Sequence, residues 1–202
     1  MVHAAAMKQR RILSGLVLIG VLACAQPALA GPFEDGLAAY ESGDNATAVR
    51  LFRPLADQGD ARAQFQLGRM YASGHGLPQD HVAAVSWFRL AAEQGNADAQ
   101  RNLGIMYKRG RGVLTDNAEA AAWFRLAAEQ GDPAAQTDLG DMYQEGRGAE
   151  QDYVLAHMWY SLAAGQEHEG AARQLRSIGR LMTPEQIAEA ERLAREWKPK
   201  MQ

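Results

Sequence analysis

Apolar residues recur at helical spacing along most of this chain, in pairs of segments joined by a glycine-containing loop. The spacing predicts helices over 61–73 and 81–94. One apolar face consists of Ala63, Leu67, Met70 and Tyr71 with Gln64 at its edge, and the other of Ala84, Trp87, Phe88, Ala91 and Ala92. Asp60 and Asp80 stand where N-caps are needed, and Gly74 stands where a left-handed residue ends a helix. The stretch therefore predicts a helix–loop–helix unit.

This unit occurs three times in succession without insertion or deletion. The blocks are 59–94, 95–130 and 131–166, so the period is 36 residues. We number them repeats one to three. A fixed period of this size is typical of a solenoid, in which each unit packs on its neighbours. The pattern predicts an all-α chain.

Glycine recurs inside the first helix of each repeat, at Gly68, Gly104 and Gly140. Glycine costs a helix interior about 1 kcal/mol relative to alanine. The recurrence predicts a bulky side chain packed against the backbone at this point. The tryptophan that recurs at Trp87, Trp123 and Trp159 is the expected one.

Atypical units flank the repeats. Residues 31–58 predict a capping unit with helices over 33–41 and up to Asp57, the second one capped by Asp44 or Asn45. Residues 167–202 predict two further capping helices. The first spans 167–180, with Arg176 in the glycine register. The second begins at Thr183-Pro184-Glu185-Gln186 and carries an apolar stripe, and the chain is expected to fray from Lys198. Ten helices and no strand are expected in all.

The segment 1–30 predicts a secretory signal peptide. Basic residues precede an apolar run over 12–23, and Ala28-Leu29-Ala30 is a small-x-small cleavage site. Met7 is an alternative start, because positions 1–6 add nothing to the signal. Cys24 lies in a weak lipobox, so a lipid anchor at this cysteine is the alternative to cleavage after Ala30. The predicted location is periplasmic or secreted, with no other segment inserted in a membrane.

Charge and cysteine content narrow the possible partners. The formal net charge is −3, and cleavage after Ala30 removes Lys8, Arg10 and Arg11, which makes the chain more acidic. An acidic surface argues against nucleic acid as a partner. Cys24 is the one cysteine in the sequence, so the cleaved chain would hold together without disulfides. A monomer is expected.

The repeated motif resembles the Sel1-like repeat. It reads AQxxLGxMYxxGxG, followed by an aspartate and by AxxWxxxAAxxG with small variations. This family is related to the tetratricopeptide repeat. The resemblance implies a right-handed α-solenoid that binds other proteins, with the first helix of each pair lining the concave side.

Residues that carry chemistry are few. The sequence has no HExxH, GxSxG, P-loop or CxxC motif, so no catalytic residue, cofactor or metal is expected. His75 and His81 flank one loop but have no histidine at the equivalent positions of the other repeats, and His157 is expected at an exposed or edge position. The alternative to an exported protein-binding module is an envelope enzyme or accessory subunit that acts on peptidoglycan or another glycan. Such a site needs exposed aromatic residues, and Phe65 is the one that the first-helix stripe offers.

The first helices differ among the repeats along one stripe, at positions 62, 65, 66, 69, 72 and 73 of repeat one and at the equivalent positions of repeats two and three. The predicted partner-binding residues are Arg62, Phe65, Arg69, Arg101, Lys108, Arg109, Asp138, Asp141 and Glu145. With Asp98 included, the charge of the stripe is +2 in repeats one and two and −3 in repeat three. This polarity predicts a partner segment whose acidic part lies at repeats one and two.

Overall fold

Ten α-helices follow one another along residues 31–200, which are the residues that this computed structural model describes. They are α1 (Pro32–Glu41), α2 (Asn45–Asp57), α3 (Ala61–Ser73), α4 (His81–Glu93), α5 (Ala97–Arg109), α6 (Asn117–Glu129), α7 (Pro133–Glu145), α8 (Tyr153–Gly165), α9 (Glu169–Ile178) and α10 (Pro184–Glu196). From α1 to α9 each helix packs on its sequence neighbours, which confirms the predicted α-solenoid of helix–loop–helix repeats. The predicted signal peptide, with Cys24, and residues 201–202 lie outside the described residues. Within 31–200 no helix is both long enough and apolar enough to cross a membrane.

Aspartate and asparagine side chains cap the N-termini of the repeat helices at the predicted positions. Asp60 Oδ1 accepts hydrogen bonds from the backbone N–H groups of Arg62 and Ala63, and Asp80 caps α4 in the same way. The equivalent caps are Asn96, Asp116, Asp132 and Asp152. Gly74 ends α3 with a φ of +77°, a conformation that glycine adopts at little cost. Local sequence therefore fixes both ends of the first helix of each repeat.

Each mid-helix glycine lies against an aromatic residue of the second helix, which in the three full repeats is the residue after the tryptophan. The pairs are Gly36–Phe52, Gly68–Phe88, Gly104–Phe124 and Gly140–Tyr160. A Cβ atom built on Gly68 would lie only 2.5 Å from Phe88 Cδ1, so no larger residue fits. The prediction of a bulky neighbour is confirmed, but the prediction that this neighbour is Trp87 is wrong. The atypical first unit shares the same close approach of its two helices.

The tryptophans lie closer to the surface than the aromatic residues beside them. Trp87 is half-buried, and the Arg53 guanidinium lies 5.6 Å from the centroid of its ring. Trp123 is half-buried as well. Trp159 is buried, and Trp197, which directly follows α10, packs edge-on against it with 6.1 Å between ring centroids.

A buried glutamine joins each repeat to the preceding unit. Gln100 Nε2 donates to the carbonyl of Ala92 at 3.1 Å, and its Oε1 accepts from Gln130 Nε2 at 2.7 Å. The same arrangement recurs at Gln64 with Ala56 and Gln94, and at Gln136 with Ala128 and Gln166. Sequence reasoning placed Gln64 at the edge of an apolar face and missed this network. Each glutamine adds a second hydrogen bond to a carbonyl at the end of a helix, where the regular helical partner is missing and the N–H three residues on provides the first.

A second contact between units pairs an arginine of one unit with a tyrosine of the next. The pairs are Arg53–Tyr71, Arg89–Tyr107 and Arg125–Tyr143, with N–O distances of 2.6, 2.5 and 2.9 Å. Each joins the second helix of one unit to the first helix of the next. The recurring tyrosines are therefore half-buried linkers rather than purely apolar core residues.

The last helix departs from the repeat geometry. α9 packs on α8 as other first helices pack on the preceding helix, but α10 folds back onto α8 and makes almost no contact with α9. Arg176 is exposed in the register that glycine occupies at Gly140, where α10 does not pack closely against α9. The predicted start of α10 is confirmed, because Thr183 and Gln186 form a capping box.

The segment after α10 is attached to the array. The Lys200 backbone N–H donates to the carbonyl of Glu129 at 2.7 Å, and Lys200 Nζ lies 2.9 Å from the Glu129 carboxylate. The prediction that the chain frays from Lys198 is therefore wrong for residues 198–200.

His157 is buried, which contradicts the prediction of an exposed or edge position. Ser161 Oγ lies 3.3 Å from its Nδ1 atom. Burial lowers the pKa of the imidazole below its ordinary value, although the Glu191 carboxylate of α10 opposes this shift. A buried histidine that resists protonation makes the packing of α8 sensitive to acid.

We expect the protein to lose stability as the pH falls below about 6.5, and we expect His157→Val to weaken this loss. The unfolded imidazole takes up a proton near pH 6.5, whereas the folded one, with its lowered pKa, does not. The stability due to His157 is thus complete above pH 6.5 and lost as the pH falls towards the folded pKa. Valine is the residue at the equivalent position of repeat one, Val85.

Urea unfolding of the parent and of His157→Val at pH 7.5 and 5.0 measures this effect. The carboxylates titrate in both proteins, so the comparison isolates the imidazole. An equal loss of stability in the two proteins would contradict the assignment.

Candidate functional site

Side chains join neighbouring first helices, Arg62 of α3 to Glu34 of α1 and Arg101 of α5 to Asp138 of α7, and α9 contacts α7. We call the surface formed by α1, α3, α5, α7 and α9 the first-helix face. The nine predicted partner-binding residues all lie on α3, α5 and α7. The structure does not bring them together as one row of solvated charges. Some are neutralised by neighbours within the fold, and others are left without an ion pair.

Arg62 is neutralised by neighbouring acids although it is exposed. Its guanidinium lies 3.2 Å from Asp60 and 3.6 Å from Glu34, and it lies above the ring of Phe33, 4.2 Å from the centroid. Although burial opposes it, the hydrogen bond from Arg62 lowers the pKa of the Asp60 carboxyl, so this acid stays ionised. Arg62 therefore joins repeat one to α1.

Arg69 has a different environment. Its guanidinium lies 5.3 Å from the ring centroid of Tyr40 and 5.7 Å from that of Phe65, and it donates one hydrogen bond, to Gln66 Oε1, at 3.1 Å. It faces a cavity of about 340 Å³, which we call the Arg69 pocket. The pocket is lined by Tyr40, Arg69, Ala72, Ser73, His75, Phe88 and Asn102.

Phe65 does not form an exposed aromatic platform. It is half-buried and packs against Phe88 with 6.0 Å between ring centroids. The single aromatic residue that the stripe offered to a glycan thus belongs partly to the core.

The charges of repeats two and three partly cancel. Arg101 Nε lies 2.7 Å from an oxygen of Asp138, so the two repeats are joined across their first helices. Burial raises the pKa of the Asp138 carboxyl above its ordinary value, although Arg101 and Lys108 lower it. Within residues 31–200, neither Lys108 nor Arg109 lies within 4.0 Å of a carboxylate.

The other two acids of repeat three also have partners. Asp141 Oδ1 accepts hydrogen bonds from the hydroxyl of Tyr160 at 2.8 Å and from Gln174 Nε2 at 3.2 Å. Burial, together with Asp141, raises the pKa of the Tyr160 hydroxyl, so this hydroxyl remains a donor. Glu145 is exposed and pairs with Arg147 at 3.0 Å. Asp138 and Asp141 therefore stabilise contacts between helices.

Sequence reasoning missed Tyr40, His75 and Asn102 as neighbours of Arg69. Tyr40 belongs to the first unit, which has a shorter loop, so the register of the three full repeats does not align it with them. The sequence does contain a signal that would have revealed Tyr40. Gly36 and Gly68 occupy equivalent positions in their helices, although their spacing is shorter than the repeat period. Superposing these two glycines aligns α1 with α3 and places Tyr40 beside the stripe.

The histidines do not form a metal site. In the part of the chain that the structure describes, no group of three or more His, Cys, Asp or Glu side chains is arranged to hold a metal ion. His75 instead lies beside Tyr40, with 3.4 Å between its Nδ1 atom and the hydroxyl.

The sequence model of the Sel1 repeat matches four consecutive segments, residues 28–60, 61–96, 97–132 and 133–168. Together they account for well over half of the chain. The chain belongs to the Sel1 repeat family. The first of the four matches includes α1 and α2, so the short first unit is itself a Sel1 repeat.

Two solved structures are similar to this Sel1 repeat chain. One is a protective antigen present in uropathogenic Escherichia coli strains that displays an SLR fold, with a TM-score of 0.72 and 41% identity over 81% of this chain. The other is a Sel1 repeat protein from Oxalobacter formigenes, with a TM-score of 0.67 and 33% identity over 70% of this chain. The matches cover only 37% and 58% of those two proteins. No curated protein matches the sequence.

Sel1 repeat proteins are generally protein–protein interaction modules and typically non-catalytic scaffolds. In this chain, the side chains that recur in every repeat are used in packing, as is expected of a scaffold.

Proposed function

We propose that this Sel1 repeat chain is an exported interaction module that binds a partner protein through its first-helix face, which we take as the concave side of the array. Export is supported by the signal-peptide pattern of residues 1–30. A role as a scaffold, or as a regulator of an envelope protein, is supported by the family and by the absence of catalytic motifs from the sequence.

The observation that carries the proposal is the contrast between what recurs and what varies. The same fold is built three times, and the buried positions hold the same residue types, such as Leu67, Leu103 and Leu139. On the first-helix face, the register of Arg109 is exposed in all three repeats and holds serine in repeat one and glutamate in repeat three. Burial in the core does not require these differences, so they are available for recognition.

Photo-crosslinking in cells that express the full-length chain tests the proposal. A photoreactive residue replaces Arg109, which is exposed on α5 and has no ion pair within residues 31–200, or replaces Ser86, which is exposed on α4. We expect one partner protein to be crosslinked from position 109 and not from position 86. The chain should be recovered outside the cytoplasm and begin at Gly31.

Equal crosslinking from both positions, or crosslinking from position 86 alone, would contradict the choice of face. Recovery of the uncleaved chain in the cytoplasm would contradict export. An N-terminal Cys24 that carries lipid would place the module on a membrane surface instead.

A further inference from the structure

Arg69 is half-buried yet has no acidic partner among the residues that the structure describes. Within residues 31–200 no carboxylate oxygen lies within 4.0 Å of its guanidinium, whereas Arg62 and Arg101 both have such partners. Its single side-chain hydrogen bond goes to a neutral amide oxygen, that of Gln66. A guanidinium has five N–H donors, so most of them remain for a ligand.

The guanidinium is also held in place. It lies near two rings, those of Tyr40 and Phe65, and each ring has a further contact. The hydroxyl of Tyr40 is 3.4 Å from His75 Nδ1, and Phe65 packs on Phe88. An arginine that is already ordered loses little side-chain entropy when it binds a planar carboxylate. The arrangement therefore favours an anionic group over a neutral one.

The size of the pocket limits the ligand. A cavity of about 340 Å³ that is open to solvent fits one side chain or a chain terminus and is small for a cofactor. Asn102 of α5 brings an amide to the wall, and Ser73 brings a hydroxyl. Both are neutral, so among the lining residues the permanent charge belongs to Arg69.

The pocket occurs once in the array. The positions equivalent to Arg69 are Ile105, which packs against the core of repeats two and three, and Asp141, which accepts the hydrogen bond of Tyr160. A carboxylate bound at Arg69 therefore fixes a partner segment at the boundary between the first unit and repeat one.

We propose that the Arg69 pocket binds a carboxylate group of an extended acidic segment of the partner protein. This inference rests on the proposed function, because it assigns the partner's chemistry at one point of the first-helix face. The carboxylate belongs either to an Asp or Glu side chain or to the free C-terminus of the segment, and both present the same planar pair of oxygens.

Chemical-shift titration of the ¹⁵N-labelled chain with three peptides tests the inference. The peptides are acetyl-Ala-Ala-Glu-Ala-Ala-amide, the same peptide with Gln in place of Glu, and the Gln peptide with a free C-terminal carboxylate. We expect the Glu peptide or the free-carboxylate peptide to shift the resonances of Ser73 and Asn102, and the neutral peptide to leave them unchanged. The carboxylate peptide that shifts them identifies the source of the group.

Two variants and a matched control locate the contact. Arg69→Gln should weaken carboxylate binding at least tenfold. Arg69→Lys keeps the charge without the planar fork and should weaken it less. The control Arg62→Gln lies two turns earlier on the same helix and should bind within twofold of the parent, because Arg62 already has acidic partners. Circular dichroism melting of each variant checks that the chain is folded.

Equal binding of all three peptides, or equal weakening by Arg69→Gln and Arg62→Gln, would overturn the inference. If no peptide binds while a partner is still crosslinked from position 109, the first-helix face binds its partner without this pocket. If a carboxylate binds at Arg69 while crosslinking occurs only from position 86, the pocket stands and the proposed function fails.

Discussion

Replacing Gly104 by leucine is expected to lower the free energy of unfolding by about 3 kcal/mol, as overpacking of a dense core does. A Cβ atom at this position would lie 2.7 Å from two ring atoms of Phe124 and 3.2 Å from the Ala120 carbonyl. Even alanine is too large, so Gly104→Ala should also destabilise the protein, although alanine favours a helix by about 1 kcal/mol. Urea unfolding followed by circular dichroism measures both variants.

Gly165 provides the matched control. It ends α8, and a Cβ atom built there would meet no atom within 4 Å. Gly165→Ala should leave the protein as stable as the parent or slightly more so. A second check combines Gly104→Ala with Phe124→Ala, and the double variant should lose less than the sum of the two single losses. A parent-like midpoint for Gly104→Leu would mean that α5 and α6 can separate without cost.

Replacing Gln100 by leucine is expected to cost about 2 kcal/mol, the middle of the range for a buried polar group left unsatisfied. The substitution leaves the half-buried Gln130 amide without its partner. It also removes one hydrogen bond from the Ala92 carbonyl, which keeps the one from the Gly95 N–H. Glutamine and leucine have similar volumes, so the lost hydrogen bonds rather than a cavity account for the effect. Chemical denaturation of the parent and the variant gives the difference.

The control for this prediction is Gln58→Leu. Gln58 is exposed at the end of α2, and within residues 31–200 its side chain makes no hydrogen bond, so the change should stay within about 0.5 kcal/mol. A doubly substituted chain, Gln100→Leu with Gln130→Leu, should regain part of the loss, because both ends of one bond are then removed. If Gln100→Leu is as stable as the parent, apolar packing alone is enough to stabilise the contact between the two units.

The helix boundaries were predictable because local chemistry sets them. Asp60 and Asp80 cap helices through bonds to residues only two or three positions away, and Gly74 takes a left-handed conformation whatever surrounds it. The regular period of the repeats then predicts that each unit packs on its neighbours. The fold class follows from these two facts without knowledge of any contact between units.

The choice of aromatic residue against the glycine was not predictable from periodicity. Trp87 and Phe88 are consecutive, so both lie near the apolar face of α4, and the helical period does not decide which of them points at Gly68. In the structure the phenylalanine takes the buried position, and Trp87 meets Arg53 near the surface.

The candidate site was only partly predictable, for a reason of distance. The pairing of Arg101 with Asp138 could have been predicted from the sequence. The two residues are 37 positions apart, one more than the period, so they lie on neighbouring first helices at nearly the same height. The surroundings of Arg69 could not be predicted from the repeat period, because Tyr40 comes from a unit of different length. The buried glutamines depend on a carbonyl of the preceding unit, which the polarity pattern of a single helix does not contain.

The fold-back of α10 changes how the array can come apart. In an array with contacts only between adjacent units, stability is a sum of nearest-neighbour terms, and both ends fray with equal ease when these terms are alike. Here Lys200 reaches Glu129 in α6, while Trp197 packs on Trp159 in α8. The contact of Lys200 with Glu129 couples the C-terminal unit to repeat two, which is not its nearest neighbour. We therefore expect repeats two and three to unfold together with the C-terminal unit as one cooperative block. Melting should therefore proceed in one direction, from α1 towards the C-terminal block.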